Sequence, residues 1–315
     1  MEGNSKANSK RRGKAKRRRL LIIIVLLLLC VVAAVYIILH FGASKDESAE
    51  ATANETVEET PAEEEVAEPS QEELDAAATE KAASHVYSHR GSAGEDELTI
   101  AAYDRAVEAG SKYLEADIVV SASGTVYLAH DDQAFDMTGY NGFFSGMTDG
   151  QIDELETKAG NKIIRLKDLF DKYGDSVTYL VDIKYSSSRN IDAFTEIVKE
   201  YGYEKNVIAV SSYFNALSPL EEEFPDMEKL YVCQDAATFD LALGKEYVDI
   251  ISVPAELMTA DYLEAAHNNG KKFSVWTLND EKEISDAIDL GVDTYFTDDS
   301  ALAIRLEKEK RGGAE

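Results

Sequence analysis

Cysteine is nearly absent from this chain. Of 315 residues only Cys30 and Cys233 carry a thiol, and Cys30 lies inside a long apolar run, so no intramolecular disulfide can staple the folded part and its stability must come from packing. No Cys/His cluster of the kind zinc prefers occurs, which leaves oxygen ligands as the route to any metal site. Basic residues are scarce beyond residue 19: nine of the 32 Lys and Arg precede residue 20, leaving 23 cations against 59 carboxylates, or −36, in the remainder. A chain so divided offers no basic face for nucleic acid in its main part. Between residues 43 and 82 aromatic residues are missing and branched aliphatics are rare, so that stretch cannot bury enough apolar surface to fold.

What is present begins with a charge asymmetry. Residues 1–19 form a basic tail, and residues 20–39 are an unbroken run of Leu, Ile, Val and Ala with one Cys and one Tyr. At ~1.5 Å per residue this run spans a ~30 Å hydrocarbon core. It predicts a transmembrane helix over 20–40 with a cytoplasmic amino terminus and everything beyond it outside a cell membrane. A cleaved signal peptide fits less well, because Phe41 stands where cleavage prefers a small residue. Leu28-Leu29 before Cys30 likewise lacks the small residue of lipoprotein processing. The lack of disulfides on an exported domain points to a bacterial surface. Residues 41–83 then read as a disordered acidic linker, a self-repelling tether with some helix-friendly sequence near 71–78.

From 84 onward short β-branched or aromatic runs alternate with amphipathic helical patterns. Strands are expected at 86–89, 113–120, 125–130, 178–184, 207–212, 229–233, 248–253, 273–278 and 294–297, and helices at 97–109, 166–173, 191–201, 260–268 and 281–290. Several helices are closed by glycine, as helix ends favour. The βα alternation predicts one (β/α)8 TIM barrel over 84–315. The ninth strand is accommodated if 113–120 and 125–130 form a hairpin about Ser121-Ala122-Ser123-Gly124. Pairing Val120 with Thr125 sets Glu115 opposite His130. Residues 132–160, rich in glycine and aromatics, read as a small insertion at the barrel mouth, either a substrate-facing lid or a solvent loop.

The chemistry-bearing residues recur at strand ends. In Glu115-Ala116-Asp117 the carboxylates are two apart and share one side of a strand, an arrangement that is costly without a cation between them. Asp182-Ile183-Lys184 adds a third acid and a base in the same geometry. Three oxygen ligands suit Mg2+ or Ca2+. His89 and His130 each end a strand, on the face where barrel enzymes gather catalytic groups, and Arg90 is a bidentate donor for phosphate.

The order of Ser88-His89-Arg90-Gly91, Asp96-Glu97-Leu98-Thr99, Glu115-Ala116-Asp117, Ala129-His130-Asp131, Asp182-Ile183-Lys184, Ser211-Ser212-Tyr213-Phe214, Val275-Trp276-Thr277 and Phe296-Thr297-Asp298 resembles the motif set of the glycerophosphodiester phosphodiesterase family. The resemblance covers about residues 84–305. It implies a metal-dependent hydrolase that cleaves glycerophosphodiesters to glycerol 3-phosphate and an alcohol. It maps Glu115, Asp117 and Asp182 to metal ligands, with Glu97 supporting the metal site, and His89 and His130 to the acid/base pair. Arg90 and Lys184 would neutralise phosphate, and Trp276 would line the substrate cleft. Two positions depart from the family pattern: Asp182 stands where Glu is usual, and Asp96-Glu97-Leu98-Thr99 replaces Pro-Glu-Asn-Thr. Two other functions are compatible with the same residues. One is a phospholipase acting on lysolipid or inositol lipid headgroups; the other is a catalytically silent surface module that binds sugar phosphates.

Overall fold

The computed structural model of the chain describes residues 70–311. The predicted basic tail, transmembrane segment and residues 41–69 of the linker lie outside the described residues. Among the described residues no helix is long and apolar enough to cross a membrane.

Nine strands form one sheet: β1 (Val86–Ser88), β2 (Tyr113–Val120), β3 (Val126–Leu128), β4 (Thr178–Ile183), β5 (Val207–Ser211), β6 (Lys229–Val232), β7 (Ile250–Pro254), β8 (Lys272–Trp276) and β9 (Thr294–Thr297). All except β3 run parallel, and β1 pairs with both β2 and β9, so eight parallel strands close on themselves. The sheet is the expected eight-stranded barrel. β3 is antiparallel to β2 and takes no slot in it, as the hairpin predicts.

Period-2 alternation divides each strand between two cores. One face, with Leu114, Ala116, Ile118, Tyr179, Val181 and Ala209, joins the apolar layer beneath the helices. The other, with Tyr87, Leu180, Ile208, Leu230, Ile250 and Phe296, fills the barrel interior. The interior is therefore a plug, and only its carboxyl-terminal end is open to chemistry.

The longer helices are α1 (Gln71–Ala83), α2 (Ile100–Glu108), α3 (Leu166–Tyr173), α4 (Ser188–Tyr201), α5 (Ala236–Leu243), α6 (Ala260–Asn268), α7 (Glu281–Leu290) and α8 (Ser300–Arg311). Their limits are set by local chemistry. In α7 the Asp280 side chain accepts from Glu283 N at 2.8 Å, and Gly291 closes the helix at φ 84°.

Three expectations need correction. The linker does not run to residue 83: its last turns are α1, whose Ala82 and Ala83 are buried in the barrel's outer core, and Thr79 Oγ1 accepts from Lys308 Nζ at 3.0 Å. A polar, alanine-rich sequence is ordered there because its few apolar residues have a surface to cover. The helix expected from 97 starts at Ile100, because Leu98 adopts φ 58° and Thr99 is the N-cap. The β2–β3 register is displaced by one residue, with Val120 opposite Val126. Thr125 lies opposite Ser121: its carbonyl accepts from Ser121 N (2.9 Å) and its N–H donates to Ser121 Oγ (3.2 Å). Asp117 O accepts from Ala129 N (3.1 Å), which still brings His130 to the level of the acidic pair.

Residues 132–160 are an ordered insertion. Short helices at Phe135–Thr138 and Asp149–Asp153 enclose a small core of Phe144, Met147 and Ile152 against Val119 and Tyr127 of the hairpin.

Candidate active site

Glu115 and Asp117 point into the barrel because they alternate with the outward Leu114, Ala116 and Ile118. The parallel β2–β4 register places Asp117 directly beside Asp182. The three carboxylates converge, each offering an oxygen within 4.8 Å of the others. They are 3%, 1% and 7% exposed, so their charges are almost wholly removed from water.

Lys184 Nζ lies 2.7 Å from both Asp117 Oδ1 and Asp182 Oδ2, and Arg90 Nε lies 2.7 Å from Asp117 Oδ2. Burial and the neighbouring Asp117 push the Glu115 carboxyl well above its ordinary range. Burial pushes Asp182 up to about 6, partly offset by Lys184. Burial also acts to raise Asp117, but Lys184 and Arg90 outweigh it and hold this carboxyl below the ordinary range. One proton-poor and two proton-hungry acids side by side mark a site that is short of positive charge.

Both Asp117 oxygens and Asp182 Oδ1 are buried without a hydrogen-bond partner among the described residues; the ion pairs at Asp117 lack hydrogen-bond alignment. These lone pairs, with Glu115, fit a hard divalent cation. The shorter side chain of Asp182 reaches the group because its strand is in register with β2.

The turn after β1 delivers the next residues. Arg90 is left-handed at φ 56°, a conformation that costs a side-chain-bearing residue free energy. It is held there because its N–H donates to Glu115 Oε2 at 3.0 Å and its carbonyl accepts from Leu98 N at 2.9 Å. Gly91 follows at φ 102°, and a Cβ on it would come within 2.5 Å of Ala102 Cβ. The His89 imidazole is bonded through Nδ1 to Asp298 Oδ1 at 2.7 Å, and Asp298 is anchored by Asn279. His130 Nδ1 meets Asp131 Oδ2 at 2.9 Å in a more exposed pair.

A cavity of about 240 Å3 is lined by His89, Arg90, Glu115, Asp117, His130, Asp182, Lys184 and Trp276. All the predicted site residues except Glu97 thus meet in one place. Trp276 ends β8, and its buried indole N–H has no partner among the described residues, leaving a donor available at the wall. Glu97 stands apart from this group: it is 60% exposed, binds Arg90 Nη1 at 2.9 Å and lies outside the trio of converging carboxylates. It lines an adjoining cavity of about 350 Å3 that shares Arg90 and His130 with the first and is roofed by the insertion through Asp136, Met137 and Lys158. Ser212, Gln234 and Phe296 also line the first cavity. Sequence reading gave them no role; their position at strand ends, in phase with the inward face, was the available signal.

The family model described as "Glycerophosphoryl diester phosphodiesterase family" matches residues 89–302. A family of unknown function (DUF6550) matches residues 12–110. A glycerophosphodiester phosphodiesterase of Caldanaerobacter subterraneus subsp. tengcongensis is 28% identical over 239 residues, which is 71% of this chain and 98% of that protein. A human lysophospholipase D is 24% identical over 261 residues, 67% of this chain and 82% of that protein. The crystal structure of a Thermotoga maritima glycerophosphodiester phosphodiesterase has a TM-score of 0.60 at 28% identity, covering 70% of this chain and 97% of that one. An Oleispira antarctica phosphodiesterase in complex with the product sn-glycerol-3-phosphate superposes with a TM-score of 0.66 at 19% identity, covering 72% of this chain and 97% of that one. With a barrel, a carboxylate trio and a family match that spans most of its length, this chain belongs to the glycerophosphoryl diester phosphodiesterase family.

Proposed function

We propose that the chain hydrolyses glycerophosphodiesters to glycerol 3-phosphate and an alcohol with the help of Mg2+ or Ca2+. The observation that carries this reading is the convergence of Glu115, Asp117 and Asp182 beside two cations and two histidines in one cavity. The carboxylates would hold the metal, which when bound supplies charge neutralisation at a phosphoryl oxygen. Arg90 and Lys184, both kept protonated by the buried acids despite their own burial, bind and orient the phosphate. His89 and His130 line the cavity; one accepts the proton of the attacking hydroxyl and the other returns a proton to the leaving alkoxide. The second cavity, on the far side of Arg90 and His130, gives the second arm of the diester room.

The test is release of glycerol 3-phosphate by the purified full chain from glycerophosphocholine, glycerophosphoethanolamine or glycerophosphoglycerol with either metal. No release from any of them refutes the reading. Retained turnover in His89→Ala would remove that histidine from the mechanism. Saturable divalent binding without turnover would instead favour the silent sugar-phosphate module.

The lysolipid reading is favoured by the exposed aromatic side chains of the insertion, Phe135 and Phe143, 48% and 59% accessible. The acidic wall of the second cavity, with Asp96, Asp131 and Asp136, disfavours anionic headgroups. Rates on lysophosphatidylcholine and glycerophosphocholine separate the two substrates.

The run at 20–39 and the basic residues before it support a membrane-anchored chain with its barrel outside the cell. Protease treatment of intact cells should digest the barrel and spare the amino terminus; a protected barrel contradicts this placement.

A further inference from the structure

Asn279 and Asp298 bear on His89 through a sequence of forced donor and acceptor choices. Asp298 N can only donate, and it donates to the Asn279 side chain at 2.9 Å. The amide must therefore present its oxygen to that N–H. Its NH2 then faces Asp298 Oδ2 at 2.6 Å, so that oxygen accepts. Hydrogen bonds from His89 and Asn279 outweigh burial and hold the Asp298 carboxyl below its ordinary range. An ionised carboxylate has no proton to give, so Asp298 Oδ1, 2.7 Å from His89 Nδ1, accepts as well. The ring proton of neutral His89 is on Nδ1, and the bare nitrogen is Nε2.

We propose that Asn279 and Asp298 are a positioning pair that fixes the tautomer of His89, so that Nε2 enters the reaction as a proton acceptor. The polarity of one backbone N–H is relayed across two side chains to the imidazole. The two residues come from the loops after β8 and β9 and meet beyond the open end of the barrel. His130 lacks such a relay: the Asp131 carboxylate that it meets has no second protein partner among the described hydrogen bonds, and both side chains are about half exposed. The inference rests on the catalytic reading of His89 given above, but its first measurement does not depend on activity.

In the metal-free full chain labelled with 15N-histidine, at a pH high enough that the His89 15N shifts no longer change with pH, those shifts should report a proton on Nδ1. A proton on Nε2 overturns the proposal. Asp298→Asn should reverse the tautomer. Asn279 would still present its NH2, so the new amide must turn its oxygen that way and its own NH2 toward His89 Nδ1. kcat should then fall by ~10³-fold or more with KM little changed, as for a catalytic histidine held in the wrong tautomer. The exchanged double variant Asn279→Asp/Asp298→Asn restores an acceptor to His89, because the carboxylate at 279 takes both N–H groups of residue 298. It should return the proton to Nδ1 and raise kcat at least ~10-fold above Asp298→Asn. A double variant no faster than the single one, or a single variant with the wild-type tautomer, overturns the proposal. A wild-type His89 with the expected tautomer in a chain that cleaves no diester would refute the catalytic reading alone.

Discussion

Asp117 and Asp182 occupy the same rung of two neighbouring parallel strands. Both side chains face the barrel axis, and Lys184 Nζ stands 2.7 Å from each. Two buried like charges on adjacent strands are unstable unless cations hold them, so this rung governs the electrostatics of the acidic trio.

Lys184→Met leaves Asp182 without its cation and Asp117 with Arg90 alone. Breaking a buried pair from one side costs ~3 kcal/mol or more. The metal-free variant should lose about that much in a denaturant titration and regain most of it on adding millimolar Mg2+ or Ca2+. Equal loss with and without metal would show that the carboxylates do not bind the ion.

On the proposed reading, proton and metal compete for Asp182. Its carboxyl is raised to about 6 by burial, so divalent affinity should weaken as the solution is acidified through that pH, by up to ~10-fold per pH unit, and the raised Glu115 carboxyl adds its own loss as it takes up a proton. In the metal-free protein the folded state binds this proton more tightly than the unfolded chain. The Asp182 contribution to stability therefore falls as pH rises from the ordinary carboxylate range to about 6, then stays constant. Asp298 works in the opposite sense: its lowered carboxyl stabilises the fold above the ordinary carboxylate range, and that part is lost as pH falls through the depressed value. Calorimetric metal titrations at several pH values, repeated with Asp182→Asn, read the first effect. A pH-independent affinity in the wild type contradicts it.

Asp182→Glu restores the residue usual in the family motif. The added methylene must fit where Asp182 is 7% exposed and one rung from Asp117. The variant should bind metal within ~10-fold of wild type, whereas Asp182→Ala should lose at least that factor. Isothermal titration separates the two outcomes.

Gly91→Ala places a methyl 2.5 Å from Ala102 Cβ at a backbone φ of 102°. Strain and overpacking should together cost more than ~1–2 kcal/mol. A melting temperature unchanged from wild type would show that the Arg90–Gly91 turn can rearrange.

The ordering of strands and helices followed from periodicity, because inward and outward residues alternate along every strand and the helices carry their own caps. Residues 113–120, 166–173, 260–268, 281–290 and 294–297 have the expected limits for that reason. The hairpin register was not available from its pattern: the turn closes between Ser121 and Thr125, one residue beyond Val120, through Ser121 N to Thr125 O and Thr125 N to Ser121 Oγ. α1 was missed as a packed element because its helix-friendly sequence gains order only from the surface of α8 and β1 that it covers.

For the site, the sequence by itself determined which side chains share a face. Glu115 with Asp117, and Asp182 with Lys184, are two apart on strands, and covalent geometry turns such residues the same way. It also supplied His89, Arg90 and His130 at strand ends. Only the tertiary structure decided which faces meet. The β2–β4 register made three carboxylates into one site, the turn at Arg90 sent Glu97 outward, and the loops after β8 and β9 brought Asn279 and Asp298 onto His89. Local bonding constrains neighbours in sequence, whereas closure of the barrel sets the distances between residues far apart in the chain.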